Sequence, residues 1–249
     1  MKICVMVPTF NERESVEVLI PKLRDIYLEG IDLEYVFVDD GSPDGTADFI
    51  ESLNFPNVIV FRRKKKEGLG KAYIYAITKL IEKDYDFLIS MDADGSHRPE
   101  DLIQLLQFLS SHPDRALVIG SRWVEGGKIQ NWPLHRVLIS RLGTSYAKLA
   151  LKLKISDLTG GFKAYSVLAL KKIDLSKIQS NGYCFQIEIT YAISQLKEPI
   201  AEVPITFIER ESGVSKMNGA IVFEAMLQVT RWGLSVRFKP NADKLHYVK

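Results

Sequence analysis

A chain of 249 residues, 46% hydrophobic and 26% charged, is ordinary for a globular protein and long enough for one sizeable core. The net charge of +2 points to no nucleic-acid partner, and two distant cysteines, Cys4 and Cys184, form no disulfide framework and fit a reducing compartment. No apolar run reaches the ~18 residues of a membrane span, and Met1-Lys2 leads straight into a strand-like segment without a secretory signal, so the expectation is a cytoplasmic protein, at most peripheral on the cytoplasmic face of a membrane.

Ile3 to Val7 reads as a buried strand. The loop Pro8-Thr9-Phe10-Asn11-Glu12 follows, then a helical pattern through Val16, Leu19, Ile20 and Leu23, inside which Pro21 predicts a kink. Glu34 to Val38 is the second strand. It ends in Asp39-Asp40-Gly41-Ser42-Pro43-Asp44-Gly45-Thr46, a tight loop whose Thr46 is placed to cap the helix carrying Phe49 and Ile50. Val58 to Phe61 is the third strand. The cation run Arg62-Arg63-Lys64-Lys65-Lys66 behind it is either a solvated loop or an attraction for phosphates or an anionic surface. Gly68-Leu69-Gly70 reads as the entry to a helix reaching about Ile81.

Phe87 to Ser90 is a fourth apolar strand that stops at Met91-Asp92-Ala93-Asp94-Gly95-Ser96-His97-Arg98-Pro99. Carboxylates at i and i+2 can share a hard divalent cation that keeps places for phosphate oxygens; the alternative is a turn that caps the helix opening at Pro99. A helix from Glu100 to Leu109 and a fifth strand from Ala116 to Ile119 continue the alternation. Strands alternating with helices imply a parallel sheet covered on both faces, with ligands beyond the carboxyl ends of the strands. Glu12, Asp39 with Asp40, and Asp92 with Asp94 all fall at that edge. No Gly-X-Gly-X-X-Gly follows the first strand and no Gly-Lys-Ser phosphate loop occurs, which weakens dinucleotide oxidoreductase and nucleotide hydrolase readings.

From Gly120 the pattern changes. Gly120-Ser121-Arg122, Glu125-Gly126-Gly127 and Asn131-Trp132-Pro133 make an aperiodic loop of about 15 residues, a length that is usually either functional or disordered. Arg136 and Ser140 lie one turn apart on the next helix, through Leu153, a cation and a hydroxyl able to hold a phosphate. Thr159 to Tyr165 returns to the sheet, Phe185 to Leu196 is a helix with Glu188 among apolar neighbours, and Ile200 to Ile208 alternates as one strand. Arg210 and Lys216 flank a Gly- and Ser-containing loop able to close over a diphosphate. The last helix, Ile221 to Phe238, packs on the core or lies at a lipid interface.

Pro8-Thr9-Phe10-Asn11-Glu12, the Asp39 to Thr46 loop and Asp92-Ala93-Asp94-Gly95-Ser96-His97 together resemble the motif series of inverting GT-A glycosyltransferases, the large family that includes cellulose synthases. Gly120-Ser121-Arg122, Arg136 with Ser140, Thr159-Gly160-Gly161-Phe162, Gly182-Tyr183-Cys184-Phe185-Gln186 and Arg210 with Lys216 resemble a narrower subset, the dolichol-phosphate (polyprenol-phosphate) mannose synthases. The resemblance implies an α/β fold of GT-A, Rossmann-like type: a mostly parallel sheet with helices on both faces and a C-terminal amphipathic helix. It implies one domain over 1–249, with a nucleotide-sugar half at 1–120, an acceptor half at 121–218 and the C-terminal helix at 219–249.

By that resemblance the chain transfers mannose from GDP-mannose to a polyprenyl phosphate with inversion. Pro8, Phe10, Glu12, Val38, Asp39 and Asp40 would surround the nucleoside, and Asp92, Ala93 and Asp94 the diphosphate. Asp92, Asp94 and Ser96 would hold Mg²⁺ or Mn²⁺, Ser96 standing where some members carry Gln. Arg122, Arg136 and Ser140 would address donor and acceptor phosphates and, with Asp94, form the catalytic set, while Arg210 and Lys216 close over the donor. Membrane contact would come from the last helix, the loop after Arg122 or a membrane-anchoring partner protein. A sister enzyme using a UDP-sugar is the nearest alternative; a regulatory subunit without catalysis and a nucleotidyltransferase are more distant ones.

Overall fold

The computed structural model describes residues 1–180, 182–209, 219–238 and 247–249. The first half alternates β1 (Lys2–Thr9), α1 (Arg13–Arg24), β2 (Asp32–Asp39), α2 (Thr46–Ser52), β3 (Val58–Arg62), α3 (Leu69–Leu80), β4 (Phe87–Ser90), α4 (Pro99–Ser111) and β5 (Leu117–Ser121). The second half adds β6 (Lys128–Gln130), α5 (Leu134–Leu151), β7 (Lys163–Ser166), α6 (Val167–Lys171), α7 (Gly182–Ser194), β8 (Ile200–Pro204), β9 (Thr206–Ile208) and α8 (Gly219–Phe238).

Seven strands form one sheet in the order β3-β2-β1-β4-β7-β5-β8. Among the parallel strands, chain order runs outward from β1 through β2 to β3 and from β4 through β5 to β8, with β7 inserted between β4 and β5, so the β1/β4 boundary is a topological switch point, where open α/β sheets form their ligand crevice. The register pairs Thr9 with Asp39 and Met6 with Ser90, and the acidic turns after β1, β2 and β4 therefore emerge side by side. Successive residues of β1 face opposite sides. Ile3, Val5 and Val7 pack with α1, α2 and α4 through Val16, Leu19, Ile20, Ile50, Leu102 and Leu105. Cys4 and Met6 pack with α3 and α7 through Tyr73, Ile77, Phe185 and Ile189. A fully buried aliphatic or aromatic side chain of this kind contributes about 1.5–3 kcal/mol, and two such layers hold the switch point rigid.

The sheet is mostly parallel, as expected, with β7 running antiparallel between β4 and β5, a direction that hydrophobic patterning does not carry. Three sequence expectations need correction. The segment Ile200 to Ile208 is two strands, β8 in the main sheet and β9 paired with β6 in a separate two-stranded sheet. The loop after Arg122 thus contains a strand of its own. Thr46 does not cap α2: Gly45, at φ 78°, occupies the N-cap, and the Thr46 hydroxyl donates to Asp44 Oδ1 at 2.6 Å and accepts the Glu12 N–H at 3.2 Å. The helix read through Leu153 ends at Leu151, with Lys152 left-handed at φ 55°. Pro21 lies within α1, which runs from Arg13 to Arg24.

α8 lies against α5 so closely that a Cβ at Gly233 would come within 2.9 Å of the Ala150 carbonyl. Val229 is buried beside it, whereas Met226, Leu227, Leu234 and Phe238 stay exposed. Among the described residues no helix is long and apolar enough to cross a membrane.

Candidate active site

A cavity of about 360 Å³ opens at the switch point, between the carboxyl edge of the sheet and helices α5, α7 and α8. Pro8, Phe10, Glu12, Asp40, Asp92, Ala93, Asp94, Ser96, Arg122, Arg136 and Ser140 all line it. Val38 and Asp39 do not. Val38 is buried within β2, and the Asp39 carboxylate is consumed by its own loop, accepting the Gly41 and Ser42 N–H groups at 3.1 and 2.9 Å and the Thr9 hydroxyl at 3.2 Å. Arg210 and Lys216 lie outside the described residues.

At the end of the cavity beyond β2, Asp40 accepts from Arg63 Nη1 at 2.5 Å; burial pushes its carboxyl above the usual aspartate range, with Arg63 pulling the other way. The cation run has divided its work. Arg62 pairs outward with Asp48 and Glu51, Arg63 holds Asp40, and Lys66 sits 4.1 Å over the Phe10 ring at the cavity wall. Gly68, at φ 106°, provides the entry to α3 that the sequence suggested, and it too lines the cavity.

The turn after β4 is shaped by local hydrogen bonds. The Asp92 N–H donates to His97 Nδ1 at 2.9 Å, and Asp94 Oδ1 accepts the Ser96 N–H at 3.1 Å. His97 is fixed from behind by the rings of Phe162 and Phe207, 5.1 and 5.5 Å away. Among the described residues no three His, Cys, Asp or Glu side chains converge to cage an ion. Asp92, Asp94 and the buried Ser96 hydroxyl, which has no partner among the described residues, would offer only an incomplete oxygen set, which suits a cation that takes its remaining oxygens from a diphosphate and water.

Across the cavity, Arg122 makes a bidentate pair with Asp157, from Nε at 2.7 Å and Nη2 at 2.7 Å, while Nη2 also reaches Thr159 Oγ1 at 2.8 Å. Three rings, Trp123, Trp132 and Phe207, lie within 5.5 Å of this guanidinium. Burial pushes the Asp157 carboxyl upward, but Arg122 outweighs it and holds the group below the usual range. The Ser140 hydroxyl is 3.3 Å from Thr159 Oγ1, tying α5 to the same knot. Arg136 grips Glu209 through Nη1 and stacks 4.7 Å from Trp132.

Four buried donors in this one cavity have no hydrogen-bond partner among the described residues: Ser96 Oγ, Trp132 Nε1, Arg136 Nε and Gln186 Nε2. Unpartnered buried donors cost free energy, so their clustering marks a place for an oxygen-rich ligand.

Sequence reasoning did not single out Asp157, Glu209 or Lys163. Lys163 is fully buried, its ammonium donating to the Gln186 carbonyl at 2.7 Å and to Thr190 Oγ1 at 2.8 Å, and burial pushes its pKa down to about 7. The only signal for Asp157 was its place before the Thr159-Gly160-Gly161 turn, and Glu209 and Lys163 left none.

A family model described as glycosyl transferase family 2 matches residues 4–174, more than half of the chain and all three acidic turns at the carboxyl edge of the sheet. The chain belongs to glycosyl transferase family 2. Its similarity to other family 2 glycosyltransferases extends past that match. It is 46% identical over 241 residues to the undecaprenyl-phosphate mannosyltransferase of Micrococcus luteus, covering 96% of this chain and 97% of the relative. It is 42% identical to the polyprenol monophosphomannose synthase of Mycolicibacterium smegmatis, over 94% of this chain and 87% of that one. Against the dolichol-phosphate mannosyltransferase of Pyrococcus furiosus it is 36% identical, over 93% of this chain and 63% of the relative. Among solved structures, glucosyl-3-phosphoglycerate synthase from Mycobacterium tuberculosis, in complex with Mn²⁺, UDP-glucose and phosphoglyceric acid, superposes with a TM-score of 0.69 at 18% identity, covering 92% of this chain and 80% of that one. That likeness establishes the fold of a GT-A enzyme.

Proposed function

We propose that this family 2 glycosyltransferase moves mannose from GDP-mannose to a polyprenyl monophosphate, inverting the anomeric carbon and releasing GDP. The observation that carries the reading is the set of unpartnered donors converging with Asp92 and Asp94 in one cavity; the activity named for the bacterial relatives supplies the substrate class. Pro8, Phe10, Glu12 and Asp40 would hold the nucleoside, with Val38 and Asp39 shaping the loop behind them and Arg210 and Lys216 closing over the donor. Asp92, Asp94 and Ser96 would hold Mg²⁺ or Mn²⁺. When bound, such a cation neutralises charge on the departing diphosphate.

The acceptor is a phosphate monoester, whose second pKa of ~6 leaves it largely dianionic at neutral pH. Its oxygen attacks the anomeric carbon without a side-chain base. Arg136 lines the cavity, and its buried Nε has no hydrogen-bond partner among the described residues while Nη1 keeps Glu209, so the guanidinium retains a charged donor for the incoming phosphate. Ser140, one turn along α5, adds a hydroxyl. Arg122, held rigid by Asp157, offers positive charge toward the donor diphosphate, the preorganised kind of stabilisation that costs no rearrangement during reaction.

The prenyl chain needs an apolar route. α5 carries Leu134, Leu138, Leu142 and Leu149 in the open, Leu134 at 81% exposure, and α8, which packs on α5, exposes Met226, Leu227, Leu234 and Phe238. We assign this face to the cytoplasmic surface of a membrane, with or without an anchoring protein.

The test is Arg136→Ala measured on both substrates. The KM for a short prenyl phosphate should rise at least ~10-fold, the size expected on losing a charge-assisted hydrogen bond, while GDP binds as in the parent and more tightly than UDP. An unchanged KM for the lipid phosphate, or UDP binding tighter than GDP, would refute the corresponding half of the assignment.

A further inference from the structure

The motif Gly182-Tyr183-Cys184-Phe185-Gln186 has no role in the account above, yet it delivers one of the four unpartnered donors. Gln186 is 1% exposed and faces the cavity from α7. Its backbone and one end of its side chain are held: Lys163 Nζ and Thr190 Oγ1 donate to its carbonyl, each at 2.7 Å, and Tyr165 donates its hydroxyl to Oε1 at 3.4 Å. Those anchors leave Nε2 as the free end, and it has no partner among the described residues. The wall it meets is bare because residue 161 is glycine. A Cβ there would stand 3.5 Å from Gln186 Nε2, 3.6 Å from Asp92 Oδ2 and 3.6 Å from His97 Cε1. An amide donor and a carboxylate acceptor thus border one small recess.

We propose that Gln186 determines hexose specificity: Nε2 donates a hydrogen bond to a hydroxyl oxygen of the donor sugar lodged over Gly161. This rests on the reading of the cavity as a sugar-nucleotide site. A side-chain amide does not titrate near neutral pH, so Gln186 supplies neither a base nor a charge. A neutral donor beside a carboxylate suits a neutral polyol, each hydroxyl of which both gives and takes a hydrogen bond. The phosphate-directed groups come from elsewhere, Arg136 and Ser140 from α5 and Arg122 from the end of β5. An orientation-fixing donor left unpaired by the wrong epimer discriminates more strongly than an apolar pocket does.

The experiment compares kcat/KM for GDP-mannose with that for GDP-glucose, its epimer at C2, and measures GDP affinity by calorimetry, in the full-length protein and in three variants. Gln186→Ala should lower kcat/KM for GDP-mannose about 10-fold, narrow the preference between the epimers and leave GDP affinity within twofold of the parent. Gln186→Glu, nearly identical in size but unable to donate when ionised, should do the same. Gly161→Ala adds a methyl at ordinary contact distance, so the fold should survive while the recess fills and kcat/KM falls with GDP affinity intact. Retained discrimination in both Gln186 variants overturns the proposal, as does a loss of GDP affinity equal to the loss in kcat/KM. Failure of the donor assignment appears separately, as a parent protein that does not bind GDP.

Discussion

Asp94→Asn is expected to lower turnover by roughly a thousandfold while leaving the fold intact. Asparagine is the same size and its Oδ1 can still accept the Ser96 N–H that Asp94 accepts at 3.1 Å, so the turn after β4 persists. What disappears is one of the two carboxylate charges that the turn after β4 brings to the cavity. The proposed cation would then rest on Asp92 and the Ser96 hydroxyl alone, and charge building on the departing diphosphate would lose several kcal/mol of stabilisation, at ~1.4 kcal/mol per factor of ten. Steady-state turnover with Mg²⁺ and with Mn²⁺ checks this, alongside a thermal unfolding curve. Activity within tenfold of the parent would remove Asp94 from the metal site.

The second large effect is on stability. Asp157 is completely buried, and its carboxylate takes the Arg122 guanidinium, the Arg122 N–H at 3.1 Å and the Gly160 N–H at 3.0 Å. Asp157→Ala strands a buried cation and two backbone donors. Removing one partner of a buried pair typically costs about 3–5 kcal/mol, and urea unfolding should register a loss of that order. The pH dependence has a definite sign. Because Arg122 holds this carboxyl below its usual 3.8 despite burial, its contribution is complete above pH 4 and disappears as pH falls through the lower folded value. The difference in stability between parent and Asp157→Ala should therefore shrink on acidification below pH 4; a difference constant down to pH 2 would contradict the linkage.

The frame of the site was legible because it is local. Apolar runs that stop at Asp39, Asp40, Asp92 and Asp94 signal strands ending at a polar edge, and the parallel register then sets those ends side by side. The Arg136 and Ser140 pair was legible for the same reason, being one helical turn. Asp157 and Glu209 were not, because their partners are 35 and 73 residues away and nothing near them in the chain announces the pairing. β6 and β9, three residues each, are too short for any periodicity to register. Thr46 had the composition of a cap, but Gly45 tolerates the left-handed geometry the turn requires, which freed the threonine hydroxyl to bind the Glu12 backbone instead.

Three arginines at or beside the cavity each already hold a carboxylate, Arg63 with Asp40, Arg122 with Asp157 and Arg136 with Glu209. Those pairings fix the guanidinium groups before any substrate enters, and the buried donors with no partner among the described residues are left to receive phosphate and sugar oxygens.

The most direct measurement gives the purified protein radiolabelled GDP-mannose, a short polyprenyl phosphate and Mn²⁺, then partitions the mixture between water and organic solvent. The account predicts label in the organic phase, dependent on the lipid phosphate and abolished by excess GDP. Label that stays in water, while a UDP-sugar labels the same lipid, would contradict it.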